Sequence, residues 1–255
     1  MAIIQVQFYS ECLKVQTKFN MILPEPCEDD VPVVFLLHGM YNNEEQWIRN
    51  SSILRYATAR NLAVVMPDAG NSYYTDMKYG GNYYTYVTKE LVEYVRKVFP
   101  VTKNRDKTFI AGLSMGGYGA VKCALSLPEQ YAACASLSGC LDVTDCLIKS
   151  QGTLDPFFCA IWGDDYLTVF PGSKDDIYAL VEKNEREGAR KPWIFQACGT
   201  DDFLYENNRK MKEFIEKHGY VYRYTEGPGA HNFTVWDRDI VPALDFFLEY
   251  MKQNA

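Results

Sequence analysis

The pentapeptide Gly112-Leu113-Ser114-Met115-Gly116 carries residue types suited to acyl transfer. A serine hydroxyl becomes a nucleophile when a base takes its proton and a strained turn lifts it clear of the backbone. The flanks supply that turn. Thr108 to Ala111 is short, apolar and rich in β-formers, and reads as a buried strand. The run after Gly116, with Gly117 and Gly119, has helical spacing. Strand, tight turn and helix form the context in which G-x-S-x-G works as a nucleophile elbow. Gly112 and Gly116 are expected where a Cβ would strike the neighbouring strand or helix. The helix start aims its dipole and the Met115 N–H at a developing oxyanion. The plainer alternative is a glycine-rich turn with an incidental serine; the strand before it and the helix after it weigh against that.

Three histidines are candidates for the base. His38 precedes the serine, in a strand-end turn. His218 falls in the last turn of an expected helix before Gly219, where the helix dipole alone accounts for it. His231 lies in a glycine-rich loop downstream of Ser114 and of an acidic pair. Serine, acid, histidine is the chain order this kind of elbow uses, which selects His231. The acid must orient that histidine and stabilise its imidazolium. Asp201 and Asp202 both follow a strand, and only one of them can face His231. Asp142 is a more distant third. An oxyanion hole needs two donors, and the second is expected from the Met40 N–H, in the loop after Leu37. There His38 reads as a turn-holding residue, and Gly39 lets the backbone approach the substrate.

These residues must be positioned by a scaffold. Ile3–Tyr9 and Leu13–Leu23 alternate apolar and polar residues and read as an antiparallel hairpin. Residues 24–30 form a loop. Val31–Leu37, Leu62–Met66, Tyr131–Leu137, Pro192–Cys198 and Tyr220–Thr225 read as further strands. Helices are expected within Asn42–Arg60 and over Val87–Phe99, Glu206–His218 and Val235–Lys252. A further helix, Lys174–Glu187, has Ser173 as its expected N-cap. Ala69–Tyr86 is a long tyrosine-rich loop. Leu141–Arg190 is the least regular stretch and reads as an insertion over the strand ends. Strands alternating with helices predict an α/β fold: a mainly parallel sheet with helices on both faces, right-handed crossovers and an antiparallel N-terminal hairpin. Function in such sheets gathers at the carboxyl ends of the strands, where Ser114, Asp202 and His231 all fall.

The 255 residues, 47% of them hydrophobic, suffice for one core and hence one domain. The net charge of −7, with no basic run, argues against a nucleic-acid partner. No stretch approaches the roughly 20 apolar residues of a membrane span, and the N-terminus lacks the pattern of a signal peptide. Eight cysteines without such a signal suggest a cytoplasmic protein whose cysteines are mostly buried small hydrophobes. Their spacing contains no C-x-x-C pair, so zinc is not expected, and no cofactor is implied. A homo-oligomer is left open.

Six stretches carry a family resemblance: IIQVQFYSECLKVQTKFNMILPE, FLLHGMYNNEEQW, MPDAGNSYYTDM, FIAGLSMGGYGAVKCAL, CGTDDFLYENN and GAHNFTVWD. They span the chain in order, and on them it resembles the esterase D family of α/β-hydrolases, nearest its tributyrin esterase branch. The resemblance implies an α/β-hydrolase fold and a serine esterase with Ser114, Asp202 and His231 as triad. It favours Asp202 over Asp201 and short acyl groups such as acetyl or butyryl. The chain departs from the family at Phe233, where a tryptophan is common. Tyr73, Tyr74, Phe157, Phe158, Trp162 and Trp236 could wall an acyl pocket, although core packing accounts for any one of them. The rival functions are an S-formylglutathione hydrolase-like thioesterase, a feruloyl or acetyl esterase acting on plant-derived esters, an acyltransferase and, furthest off, a non-catalytic binding module.

Overall fold

The computed structural model describes residues 2–26 and 29–254. Cys27 and Glu28, within the loop expected over 24–30, lie outside the described residues. Eight strands form one sheet: β1 (Ala2–Ser10), β2 (Val15–Leu23), β3 (Val33–Leu37), β4 (Ala63–Pro67), β5 (Thr108–Leu113), β6 (Ala133–Leu137), β7 (Trp193–Gly199) and β8 (Tyr222–Gly227). Their order is β1-β2-β4-β3-β5-β6-β7-β8. The β1–β2 hairpin and the β2–β4 pair are antiparallel, and every later pair is parallel.

The helices are α1 (Gln46–Asn50), α2 (Ile53–Thr58), α3 (Tyr83–Thr85), α4 (Leu91–Val98), α5 (Met115–Ser126), α6 (Val143–Lys149), α7 (Asp155–Trp162), α8 (Tyr166–Val169), α9 (Ile177–Glu187), α10 (Tyr205–Ile215) and α11 (Phe233–Gln253). A π-turn, Tyr86–Glu90, joins α3 to α4.

The apolar strands feed two cores, because alternate side chains point to opposite faces. In β3, Val33, Phe35 and Leu37 pack with residues of α4, α5, α9 and α10, such as Val95, Val121, Leu180 and Met211. Val34 and Leu36 face the other way, toward Trp47 and Ile53 near the chain's start and Ile240, Leu244 and Phe247 of α11. Tyr118 and Leu125 on α5 are buried against the first core, so the helix that follows Ser114 is enclosed.

Two expectations need correction. Residues 141–190, expected as the least regular stretch, carry α6, α7 and α8 besides the expected helix, α9. The N-cap of α9 is Asp176, not Ser173. The Asp176 carboxylate accepts the Tyr178 N–H at 3.0 Å, while Ser173 Oγ accepts from Asp175 N–H. Asp175 is drawn inward by the buried ammonium of Lys122, 3.1 Å away, and this starts the helix later.

Candidate active site

The site is built at the carboxyl end of β5, the fifth of the eight strands across the sheet. Ser114 has φ 53° and ψ −120°, left-handed backbone that an L-residue adopts only when its surroundings impose it. The constraint comes from both sides. A Cβ on Gly112 would lie 2.3 Å from the Gly116 carbonyl oxygen, and one on Gly116 would lie 2.5 Å from the His38 carbonyl oxygen. Only glycine allows strand, turn and helix to close this tightly. The Ser114 N–H is bound to the Leu137 carbonyl at 2.9 Å, which ties the turn to the next strand.

From this turn Ser114 Oγ lies 3.0 Å from His231 Nε2. His231 Nδ1 is 2.9 Å from Asp202 Oδ2 and 3.0 Å from Oδ1. Nδ1 therefore carries the proton and donates it to the carboxylate, leaving Nε2 as acceptor for the serine hydroxyl. The Asp202 side chain is fully buried and also accepts the Leu204 N–H at 2.8 Å. Asp201 points the other way and accepts the Gly229 N–H. Asp142 caps α6 through the Asp145 N–H, and the His218 Nδ1 donates to the Phe214 carbonyl.

The loop after β3 is hydrogen-bonded residue by residue. Gly39 N–H donates to Gln46 Oε1 at 2.9 Å, and Tyr41 N–H to Asn71 Oδ1 at 2.7 Å. Between them, the Met40 N–H has no acceptor among the described residues. The Met115 N–H opens α5, where a helix has no internal acceptor.

His38 is buried behind this loop. Its Nε2 accepts the Ala69 N–H at 3.0 Å, so its Nδ1 carries the proton and donates to the Gly39 carbonyl at 2.7 Å. Burial holds its pKa below the ordinary 6.5, and this outweighs the opposing hydrogen bond to the Gly39 carbonyl and the charge of Asp68, 3.9 Å away. The sign follows. Below pH 6.5 the unfolded chain takes up a proton that folded His38 refuses. Stability therefore falls with pH until the depressed folded pKa is reached. The melting temperature should decline as the pH is lowered from about 7, and less steeply in His38→Gln. Equal slopes in the two proteins would assign the acid lability to other groups.

A cavity of about 340 Å³ opens beside Ser114 and His231. Of the residues expected there, Gly39, Met40, Tyr73 and Trp236 line it. Phe158, Trp162 and His38 do not. Phe158 and Trp162 pack edge-on behind Tyr73, with ring centroids at 5.8 and 5.6 Å, and Tyr73 is the ring of the three that lines the cavity. Trp236 sets its ring edge-on to His231 at 4.9 Å and donates its Nε1–H to Ser138 Oγ. Phe233, the departure from the family, packs edge-to-face on Trp47 and Trp236.

Several lining residues went unread in the sequence: Tyr41, Gln46, Cys140, Cys146, Leu154 and Phe203. Cys140 and Cys146, expected as separate buried thiols, are paired as a disulfide in the cavity wall. Their spacing of six residues spans the turn into α6 and matches no redox or metal motif, so it carried no signal.

The family model Esterase, described as "Putative esterase", matches residues 10–247. The chain belongs to this Esterase family. An acetyl esterase of Caldicellulosiruptor saccharolyticus is 33% identical over 262 residues, covering 96% of this chain and 98% of the relative. The fluorophosphonate-binding serine hydrolase F of Staphylococcus aureus superposes on the esterase with a TM-score of 0.89. The two are 32% identical over 96% of this chain and 98% of that one. An S-formylglutathione hydrolase of Staphylococcus aureus gives 0.85 at 33% identity, with the same coverage. The protein is a serine esterase, a carboxylic ester hydrolase on an α/β-hydrolase fold. Among the described residues, no helix of the esterase is long and apolar enough to cross a membrane.

Proposed function

We infer that Ser114 is the nucleophile, His231 the base and Asp202 the acid that orients it, in a hydrolase of short-chain acyl esters. One observation carries this reading: an unbroken hydrogen-bonded path from Ser114 Oγ through His231 to Asp202, running beside an apolar-lined cavity. His231 Nε2 takes the hydroxyl proton as Ser114 Oγ attacks the ester carbonyl carbon. The Met40 and Met115 N–H groups receive the oxyanion of the tetrahedral intermediate. His231 then hands its proton to the leaving alcohol oxygen, and the acyl group stays on Ser114. Water, deprotonated by the same imidazole, releases the carboxylic acid. Asp202 holds the Nδ1–H tautomer throughout and offsets the transient imidazolium charge.

The short acyl group is supported by the cavity volume, near the lower end for small-molecule sites, and by the acetyl esterase relative. We read residues 141–190 as the part of a single domain that roofs the site, since Cys146, Ser150 and Leu154 line the cavity. Among the described residues five cysteines are free, three of them buried, and they support a cytoplasmic setting, with the Cys140–Cys146 disulfide standing against it.

The test is kcat/KM on p-nitrophenyl esters from acetate to decanoate, with S-formylglutathione and methyl ferulate in the same series. A maximum among the short acyl groups, acetyl to butyryl, is the expected result. A dominant rate on the thioester, matching the relative of that name, or on the ferulate would keep the three roles and reassign the substrate.

A further inference from the structure

Phe203 is an exposed phenylalanine at the rim of the site. It is 76% exposed, next in sequence to Asp202, and lines the cavity. Its ring centroid stands 4.5 Å from that of His231, with the planes at 47°. Its backbone is held by a tight turn: the Asp202 carboxylate accepts the Leu204 N–H, and the Tyr205 N–H donates to the Asp202 carbonyl at 2.9 Å. The ring therefore lies beside the imidazole while most of its surface faces water. A ligand that packs on this ring removes apolar area from water, which favours its binding.

The chemistry says which part of a substrate comes to this place. Four directions leave the tetrahedral carbon. One is the bond to Ser114 Oγ. The oxyanion points to the Met40 and Met115 N–H groups. The leaving oxygen must come within hydrogen-bond reach of His231 Nε2 to receive its proton. The acyl chain takes the remaining direction. Whatever is bonded to the leaving oxygen thus begins at the edge of His231. Two rings pack on that imidazole, buried Trp236 and the exposed Phe203. A second exposed aromatic, Tyr41, stands on the rim from the loop of Met40, braced edge-to-face on Phe157 at 5.8 Å.

We propose that Phe203 is a specificity-determining residue that receives the alcohol part of the ester and favours aryl over small alkyl leaving groups. The inference rests on the assignment of His231 as the proton donor to the leaving group. Stacking of an aryl ring on Phe203 covers both surfaces, whereas an ethyl group covers little.

The test compares 2-naphthyl acetate with ethyl acetate on the intact enzyme and on Phe203→Ala and Phe203→Leu. Each substrate is scored as the ratio of variant to wild type, which cancels the intrinsic reactivity of the two esters. Both esters give the same acetyl-enzyme, so deacylation is an internal control. In Phe203→Ala, kcat/KM for the naphthyl ester should fall about tenfold, the upper range for an aromatic pair. The ethyl ester should change less than about twofold, and the pH profile should stay in place. Phe203→Leu should fall between the two. An equal loss on both esters, a slower deacylation or a shifted pH profile would make Phe203 a shield of the His231–Asp202 pair and overturn the proposal. Unchanged ratios on both esters would overturn it as well. Turnover by Ser114→Ala, measured alongside, separates the two ideas: an inactive Ser114→Ala with unchanged Phe203 ratios leaves the triad standing and removes only the leaving-group site.

Discussion

Ser114→Ala is expected to fold normally and to lose about four to six orders of magnitude in kcat, the cost of removing a nucleophile that acts as a unit with its base. The loss is all chemistry, for structural reasons. The alanine keeps the Cβ and the left-handed backbone, and the turn is held by the Ser114 N–H on the Leu137 carbonyl and by the close approach of Gly112 and Gly116. Only the Oγ contact with His231 Nε2 disappears. Thermal denaturation should therefore match the wild type within a few degrees, with ester hydrolysis at background. Activity retained in a folded Ser114→Ala would reject Ser114 as nucleophile. A folding defect would instead show that the hydroxyl has a structural task.

The second large effect is expected at Lys122, on the helix that Ser114 opens. Its side chain is fully buried. The ammonium donates to Asp175 Oδ1 at 3.1 Å, Thr75 Oγ1 at 2.7 Å and the Tyr73 carbonyl at 3.3 Å, between the rings of Tyr84 and Tyr118. Asp175 also accepts the Trp162 Nε1–H at 3.2 Å. This one cation fastens the elbow helix to the Tyr73 loop and to the segment before α9. Lys122→Met fills similar volume but leaves the Asp175 carboxylate buried without its counter-charge. The loss should be about 3 to 5 kcal/mol, or about 6 to 20 °C in melting temperature for a chain of this size. Adding Asp175→Asn removes the stranded charge, retains an acceptor for Trp162 and should recover a large part of the loss. Urea denaturation of the single and double variants measures the coupling. A single-variant loss below about 1 kcal/mol would mean that the Asp175 carboxylate is not left as an uncompensated buried charge, and would reject the prediction. KM should rise in Lys122→Met, because Tyr73 lines the cavity and loses an anchor.

Much of this molecule follows from the order of its residues alone. The two-residue period of β3 makes both of its faces apolar, and helices cover each face. The elbow is legible for a related reason: strand, glycine, serine and glycine are neighbours in the chain, and the steric demand at Gly112 and Gly116 is met within that one turn. The order serine, acid, histidine also sets His38 aside, and the place of His218 in the last turn of a helix sets it aside, which leaves His231.

The tertiary structure decided what depends on partners distant in sequence. His231 meets Ser114 across 117 residues and Asp202 across 29. Adjacent Asp201 and Asp202 are the same chemical group, and the turn after β7 sends one to the Gly229 N–H and the other to the imidazole. Gln46, which holds the Gly39 N–H, reads locally as one polar residue in a short helix. A lysine in the middle of α5 reads as a solvated face until Asp175 and Thr75 surround it. The cavity wall is likewise unwritten in the local pattern. Phe158 and Trp162 have the same composition signal as Tyr73, yet they lie a layer behind it, and Phe203 stands exposed beside His231. Local periodicity reports which side of a strand or helix is apolar. It carries no information on which distant side chain meets it, since that contact is set by how the sheet and helices close on each other.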